Sequence, residues 1–249
     1  MPAGTTYADY ANCHNYITHP SWPGLHDNQT WRSAISGPDC PVDGLYGNYG
    51  RTWRNHFPGY STSELRTLPR VTTETGYPVG GDVTEETQAR LFMNLYLSQF
   101  KRGWSHTAIY LLRTRSNEPA HERYAIYRMD HTPKQAAHYL HNLTTILGDR
   151  GFVSRPGQIS CSIPNQPATV HDLLLQKSDG TFELVLWGER FAGGSDEVVV
   201  NLAARCESVK VYDPTAGISP VRTLTGTNSI RVTLNDHPVI IELRTADWG

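Results

Sequence analysis

The stretch from Pro69 to Leu112, PRVTTETGYPVGGDVTEETQARLFMNLYLSQFKRGWSHTAIYLL, decides the fold of the first half of the chain. Residues 69–74 form a β-rich run that ends at the turn-forming residues 75–78, which predicts a strand. A capping-box pattern over 82–85 then opens a segment whose apolar residues recur at helical spacing. A further strand is predicted over 106–112. This order predicts parallel strands that are joined by a helical crossover.

The segments on either side extend the alternation of strands and helices over residues 1–150. A strand is predicted over 7–17, a short helix over 61–68 and a last helix from Thr132-Pro133 to Gly148. Only three such strands precede residue 150, whereas a closed (β/α)₈ barrel takes about 250 residues by itself. The first half is therefore predicted to be either a small open sheet or the C-terminal part of a barrel.

The second half has a different periodicity. After a linker over 151–167 that is rich in Pro, Ser and Gly, the apolar residues alternate with period two, which predicts an antiparallel β-sandwich over 168–249. The predicted strands cover residues 170–176, 182–187, 197–202, 208–212, 221–224, 229–234 and 239–243.

The composition excludes several classes of function. The 249 residues contain 22 Lys and Arg against 24 Asp and Glu, a net charge of −2, so a broad basic surface for nucleic acid or an anionic membrane is excluded. No apolar run approaches the roughly 20 residues of a membrane span, and the first residues lack a signal-peptide pattern. The 13 Tyr and 6 Trp suit polar ligands, although burial would also explain them.

The four cysteines, at positions 13, 40, 161 and 206, are expected to be free, because no C-x-x-C spacing is present. A Cys13–Cys40 or Cys161–Cys206 bridge is the alternative. Neither H-x-H nor H-E-x-x-H occurs, so no metal site is expected. No G-x-S-x-G motif occurs either, which argues against a serine hydrolase.

Glu74 is the leading candidate for chemistry because it ends a predicted strand. In parallel α/β architectures the carboxyl ends of the strands form the active face. A retaining glycosidase needs a carboxylate nucleophile about 5–5.5 Å from a second carboxyl group that acts as acid and base. Tyr77 and Trp104 lie near Glu74 in the sequence and suit a sugar. The alternative is that Glu74 accepts backbone hydrogen bonds in a tight turn.

His14 and Tyr16, in the first predicted strand, form a second candidate group. Residues two apart on a strand point to the same face, so the pair is suited to orient a carboxylate and donate to sugar hydroxyls. A purely structural His–Tyr pair is the alternative. His106 and His121 are further candidates of the same kind.

The order of several segments resembles a known family. Residues 70–76 resemble the nucleophile segment on the seventh strand of retaining glycoside hydrolases of the large (β/α)₈ clan, which includes cellulases and β-xylosidases. Residues 8–16 resemble the sixth strand of that clan, and residues 124–134 resemble the segment that leads into the eighth helix. Residues 173–181 and 236–241 resemble the β-sandwich that follows the barrel. The resemblance thus covers nearly the whole chain.

This resemblance implies a partial barrel containing strands six to eight, followed by an antiparallel β-sandwich. It implies that Glu74 is the nucleophile of a retaining glycosidase that acts on a β-linked glycoside or polysaccharide. His14, Tyr16, Tyr77 and Trp104 would contact the sugar, and no cofactor is implied. The clan's acid/base Glu has no counterpart here, because strands one to five are missing.

The missing strands lead to further expectations. The chain is expected to be a fragment that associates as a homodimer or with a missing N-terminal half. Polysaccharide hydrolases of this clan act outside the cell, but the sequence itself leaves the compartment open. The alternative function is a non-catalytic carbohydrate-binding or structural protein in which the β-sandwich does the work.

Overall fold

The computed structural model describes residues 7–12, 59–101, 103–154, 156–190 and 193–244. The chain divides into two compact units, Met1–Lys134 and Gln135–Gly249. The first contains a parallel sheet with helices, and the second contains one helix and an antiparallel sheet. The mixed α/β class is therefore confirmed, whereas the predicted division at residues 150 and 168 stays a prediction.

The first unit contains a parallel three-stranded sheet in the order β1–β2–β3. The strands are β1 (Ala11–Asn12), β2 (Arg70–Thr75) and β3 (Trp104–Ile109). Helix α1 (Thr62–Thr67) precedes β2, and α2 (Glu85–Lys101) connects β2 to β3. The predicted crossover is thus present. Residues 13–17 of the first predicted strand lie outside the described residues.

The two helices begin at side-chain caps. Ser61 caps α1, because its hydroxyl accepts a hydrogen bond from the N–H of Glu64 while the Glu64 carboxylate accepts one from the N–H of Ser61. The predicted capping box at Asp82 is wrong. Helix α2 begins later, because Thr84 Oγ1 accepts the hydrogen bond from the N–H of Thr87.

Helix α2 covers one face of the parallel sheet. The Thr107 hydroxyl of β3 donates to the Gln99 side chain of α2, and Thr72, the register partner of Thr107 on β2, is fully buried. The opposite face, here called the open face, carries Asn12 and His106, the register partners of Val71. Both side chains are exposed to solvent. The sheet therefore has a helix-covered face and a solvent-accessible polar face.

Helix α3 (Gln135–Leu147) begins later than the predicted cap at Thr132. The N–H and hydroxyl of Thr132 both donate to Asp130 Oδ1, which forms a turn instead of a helix cap. The N–H of Lys134 then donates to the carbonyl of Ile126, 3.0 Å away. The backbone here forms an antiparallel bridge between Tyr127 and Pro133, and the helix begins after it.

The second unit is built on one antiparallel sheet of six strands. The strands are β4 (Cys161–Ser162), β5 (Val170–Gln176), β6 (Phe182–Gly188), β7 (Asp196–Tyr212), β8 (Arg222–Leu234) and β9 (Pro238–Arg244). Their order is β4–β7–β9–β6–β5, and β8 also pairs with β7. Antiparallel pairing is confirmed. The described strands belong to a single sheet, so a sandwich of two packed sheets stays a prediction.

Strands β7 and β8 each replace two shorter predicted strands. Residues 203–207 were predicted to separate two strands, but β7 continues through them with a register shift between Asn201 and Cys206. Residues 225–228 were also predicted to separate two strands, but β8 continues through them, with Gly226 at a left-handed φ of +56°. Seven predicted strands thus become five, with β4 in addition.

The core of the second unit lies on one face of this sheet. It contains mainly aliphatic side chains, among them Leu184, Leu186, Val200, Ile230 and Ile241. Cys161 and Cys206 are both free thiols, and Cys206 is fully buried in this core. Among the described helices, none has the length and apolar character that crossing a membrane requires.

Candidate active site

A β-bulge places Glu74 at the carboxyl end of the middle strand. Between Thr72 and Thr75, β2 advances three residues, while β3 advances only two, from Thr107 to Ile109. The Thr72 hydroxyl donates to the carbonyl of Glu74 over 3.0 Å and closes this bulge. The bulge turns Glu74 out of the regular alternation, and its side chain is partly exposed.

Tyr110 follows β3 at the same end of the sheet. Its N–H donates to the carbonyl of Thr75 over 2.6 Å, so the ends of β2 and β3 are held together. The peptide bond between Tyr110 and Leu111 is cis. Gly76 permits this approach, because a Cβ at that position would lie 2.7 Å from the carbonyl oxygen of Tyr110.

A 3-10 helix, Pro119–Tyr124, brings further polar side chains to Tyr110. The Tyr110 hydroxyl forms a 2.7 Å hydrogen bond with Nδ1 of His121, and that nitrogen lies 3.9 Å from a carboxylate oxygen of Glu118. The rings of Tyr110 and Tyr124 pack edge to face with centroids 5.9 Å apart. Two phenols, an imidazole and a carboxylate therefore meet here.

The electrostatics of Tyr110 connect this group with Glu74. Burial raises the pKa of Tyr110, the negative charges of Glu118 and Glu74 raise it further, and the positive charge of Arg115 acts in the opposite direction. A carboxylate from β2 and the carboxylate of Glu118, the residue before the 3-10 helix, thus act on one phenol. We call Glu74, Tyr110, Glu118, His121 and Tyr124 the strand-end cluster.

Helix α2 fixes the loops that carry the cluster. The fully buried Gln88 donates through Nε2 to the carbonyl of Tyr77, 2.6 Å away, and to that of Arg123, 2.9 Å away. Arg128 binds both carboxylate oxygens of Glu85, at 2.7 and 2.6 Å. The segment after β2 and the segment around the 3-10 helix are therefore held by the first turn of α2.

The comparisons with solved structures give the fold of the chain. It is similar to a family 39 glycoside hydrolase from the gut symbiont Bacteroides cellulosilyticus WH2, with a TM-score of 0.57 and 12% identity over 95% of this chain and 44% of that one. The fold is glycoside-hydrolase-like.

Two further similarities have lower TM-scores. The catalytic domain of the GH30 xylanase C from Talaromyces cellulolyticus has a TM-score of 0.44 and 14% identity over 72% of this chain and 41% of that one. The GH51 arabinofuranosidase from Xanthomonas axonopodis pv. citri has a TM-score of 0.44 and 16% identity over 74% and 44%. The chain spans less than half the length of each of these three proteins. No family model and no curated protein matches the sequence.

The structure brings some of the predicted site residues together. Glu74 and Tyr77 lie at the carboxyl end of β2. Trp104 is buried at the opposite end of the sheet, in register with Arg70, so the structure does not bring it to Glu74. His14 and Tyr16 lie outside the described residues.

Among the other cluster residues, His121 is one of the candidate histidines of the sequence. The strand-end rule that selects Glu74 misses Tyr110, because the strand was predicted to run to residue 112 whereas β3 ends at Ile109. Glu118 and Tyr124 carried no comparable signal, because a 3-10 helix has no clear apolar period.

The cluster offers groups that suit a polyhydroxylated ligand. Phenol and imidazole groups both donate and accept hydrogen bonds, and the carboxylates accept them. Among the residues that the structure describes, no group of three or more His, Cys, Asp or Glu side chains is placed to hold a metal ion. The chemistry that these residues offer is acid–base and nucleophilic.

Proposed function

We propose that this chain is the C-terminal part of a retaining glycoside hydrolase, with barrel strands six to eight followed by a β-sandwich. Its substrate is a β-linked glycoside or polysaccharide, and Glu74 is the nucleophile. One observation carries the proposal: a bulge at the carboxyl end of the middle parallel strand turns Glu74 out beside Tyr110. The glycoside-hydrolase-like fold supports it.

In the proposed reaction, the Glu74 carboxylate attacks the anomeric carbon of the sugar. The bond to the leaving-group oxygen breaks as an ester between Glu74 and the sugar forms, and water then hydrolyses this ester. A second carboxyl group protonates the leaving oxygen and later takes a proton from the water. We assign no residue of this chain to that second role, so good leaving groups are the substrates of choice for a test.

In this proposal Tyr77 and Tyr110 contact the sugar from the carboxyl ends of the strands, and His14 and Tyr16, which lie outside the described residues, are assigned by resemblance. Tyr77 lines the pocket, and His14 and Tyr16 hold the carboxylate ionised and contact the sugar. Tyr110 replaces Trp104 as the aromatic residue of β3 in this role, because Tyr110 lies at the same end as Glu74 and Trp104 does not.

Mechanism-based labelling tests the proposal directly. A 2-deoxy-2-fluoroglycosyl fluoride of β-configuration has a leaving group that needs little acid help. Incubation with the full chain should add one glycosyl group, which peptide mass spectrometry locates on Glu74. Glu74→Gln keeps the shape of the side chain and should abolish labelling. Labelling of another carboxylate would overturn the assignment.

A non-catalytic carbohydrate-binding protein is the second candidate. The Tyr110–His121 pair favours it, because phenol and imidazole groups bind sugar hydroxyls without any requirement for a second carboxyl group. Polysaccharide binding by the full chain without labelling would support this candidate. Absence of both binding and labelling would overturn both functions.

A further inference from the structure

The hydrogen bond between Tyr110 and His121 can run in either direction. Its oxygen–nitrogen distance is 2.7 Å, and the two rings pack edge to face at 5.9 Å with an interplanar angle of 67°. A neutral imidazole with its proton on Nε2 accepts at Nδ1, whereas a protonated imidazole donates from Nδ1. A neutral imidazole with its proton on Nδ1 also donates, so the direction of this bond depends on both the tautomer and the charge of His121.

The two directions leave Tyr110 with different free groups. When Nδ1 accepts, the phenol proton is used, and Tyr110 offers its surroundings only oxygen lone pairs. When Nδ1–H donates to the phenol oxygen, the Tyr110 hydroxyl keeps its own proton and can donate it to another acceptor. Glu74 acts electrostatically on Tyr110, and the oxygens of a sugar held at this end of the sheet would be acceptors for that proton.

The charged and titratable groups that face this pair come from three segments. Glu118 lies 3.9 Å from Nδ1 of His121 and interacts favourably with a protonated imidazole. Tyr124, on the same 3-10 helix, contacts the Tyr110 ring. Glu74 at the end of β2 and Arg115 in the loop after β3 act on Tyr110 with opposite charges. Protonation of His121 would therefore place a positive charge next to the Tyr110 hydroxyl.

We propose that His121 is a positioning residue that sets whether Tyr110 donates or accepts at the sugar site. This inference rests on the proposed carbohydrate function, since it assigns a sugar contact to Tyr110. Neutral His121 with its proton on Nε2 makes Tyr110 an acceptor for a sugar hydroxyl, and protonated His121 makes Tyr110 a donor to a sugar oxygen. Sugar affinity then depends on the protonation state of His121.

The first test follows Tyr110 without any ligand. Full-length protein is labelled with ¹³Cζ-tyrosine, Tyr110→Phe assigns the signal, and the shift is followed from about pH 5 to 8, where imidazole groups change charge. The Tyr110 signal should titrate in the wild type. His121→Phe keeps the ring contact and removes the nitrogen, and it should abolish the titration.

Two further variants complete this test. His121→Asn places a polar atom near the position of Nδ1 but does not titrate, so its Tyr110 signal should remain flat. His138→Ala, at an exposed position of α3, should titrate like the wild type. A Tyr110 signal that does not titrate in the wild type, or that titrates equally in His121→Phe, would overturn the inference.

The second test measures binding of xylotetraose and cellotetraose by calorimetry at the two ends of this pH range. Wild-type affinity should change about threefold or more, the value of one hydrogen bond. The change should disappear in His121→Phe and Tyr110→Phe. Binding with the same pH dependence in all three proteins would overturn the inference and leave the proposed function intact. Absence of binding at every pH would instead contradict the carbohydrate function, and it would overturn the sugar contact assigned to Tyr110 as well.

Discussion

At the residue scale, Gly76 determines how closely β2 and β3 approach at the strand-end cluster. A Cβ at Gly76 would meet the Tyr110 carbonyl oxygen at 2.7 Å, which requires a backbone shift. We expect Gly76→Ala to destabilise the protein by about 1–3 kcal/mol and to lower the rate of Glu74 labelling at least about tenfold. Thermal unfolding and labelling kinetics measure the two effects.

Gly80→Ala is the control for this prediction. The φ of Gly80, +141°, is unfavourable for alanine, but a Cβ at this position would meet nothing within 4 Å. It should therefore cost stability through backbone strain alone and leave labelling close to the wild-type rate. Equal loss of labelling in both variants would show that the close contact with Tyr110 does not matter.

The candidate residues could be predicted where one local rule was sufficient. Glu74 follows a β-branched run and precedes a turn, so its position at a strand end is visible in the sequence. The hydrogen bond between Tyr110 and His121 was not predictable in this way. It depends on how residues 111–120 fold back, and no periodic pattern of side chains specifies that path.

At the element scale, Gln88 is the contact through which α2 holds two loops. Gln88→Met keeps the size of the side chain but leaves the carbonyls of Tyr77 and Arg123 without this donor. The Arg123 carbonyl keeps a hydrogen bond from the N–H of Val79, 2.8 Å away, so the loss falls mainly on the Tyr77 carbonyl. A buried group that is left unsatisfied costs about 1–3 kcal/mol. We expect lower stability together with faster amide exchange in both loops, measured by hydrogen–deuterium exchange with mass spectrometry.

Gln88→Glu is the companion variant. It retains the size and polarity of the side chain but lacks the amide N–H groups, so the same two loops should exchange faster. Unchanged exchange in both variants would contradict the role assigned to Gln88.

Strands were predictable where turn residues bound a β-rich run, and not where pairing continued through residues of weak strand preference. Strand β5 has the predicted bounds, 170–176. Ala203, Ala204 and Arg205 in β7 have little strand preference, but pairing with β8 on both sides of a register shift keeps this stretch extended. Partner strands supply hydrogen bonds that override local preference, and the sequence of one strand does not contain that information.

At the scale of the whole molecule, His237 should make stability depend on pH. Its Nδ1 lies 2.9 Å from Asp236 and its Nε2 3.6 Å from Asp213. Burial acts to lower the pKa of His237, but the hydrogen bonds to Asp213 and Asp236 outweigh it and raise the pKa to about 9. The stabilisation is therefore fully present below the unfolded value of 6.5 and is lost as the pH rises through about 9.

We expect the free energy of unfolding of the second unit to fall by about 1–3 kcal/mol between these two pH values. Pulse labelling of the buried Cys206 thiol in increasing urea measures this, because that thiol reacts only after the core opens. His237→Gln should be less stable than the wild type at the lower pH and should show little further loss at the higher one. A wild-type profile that is flat, or that His237→Gln reproduces, would contradict the prediction.

The parallel sheet leads to a prediction about association. Within the described residues, β1 and β3 each pair only with β2, and strand edges of this kind recruit further strands. On these strands the exposed Asn12, Thr73 and His106 are polar and Val71 is half-buried, so they offer polar side chains to solvent. We therefore expect association through strand edges, measured by size-exclusion chromatography with light scattering. A stable monomer would contradict it.

Helix α3 has a consequence for how such proteins can be divided or recombined. Asn142 donates to the carbonyl of Pro214, Lys177 to that of Ile146, and Asp149, just beyond the helix, accepts from the N–H and hydroxyl of Ser178. In a barrel this helix would count as the last outer helix, yet these bonds make it part of the sheet's own architecture. An exchange of modules between related genes would keep both these bonds and an intact helix only if the junction fell before Gln135, so that the helix is inherited with the strands.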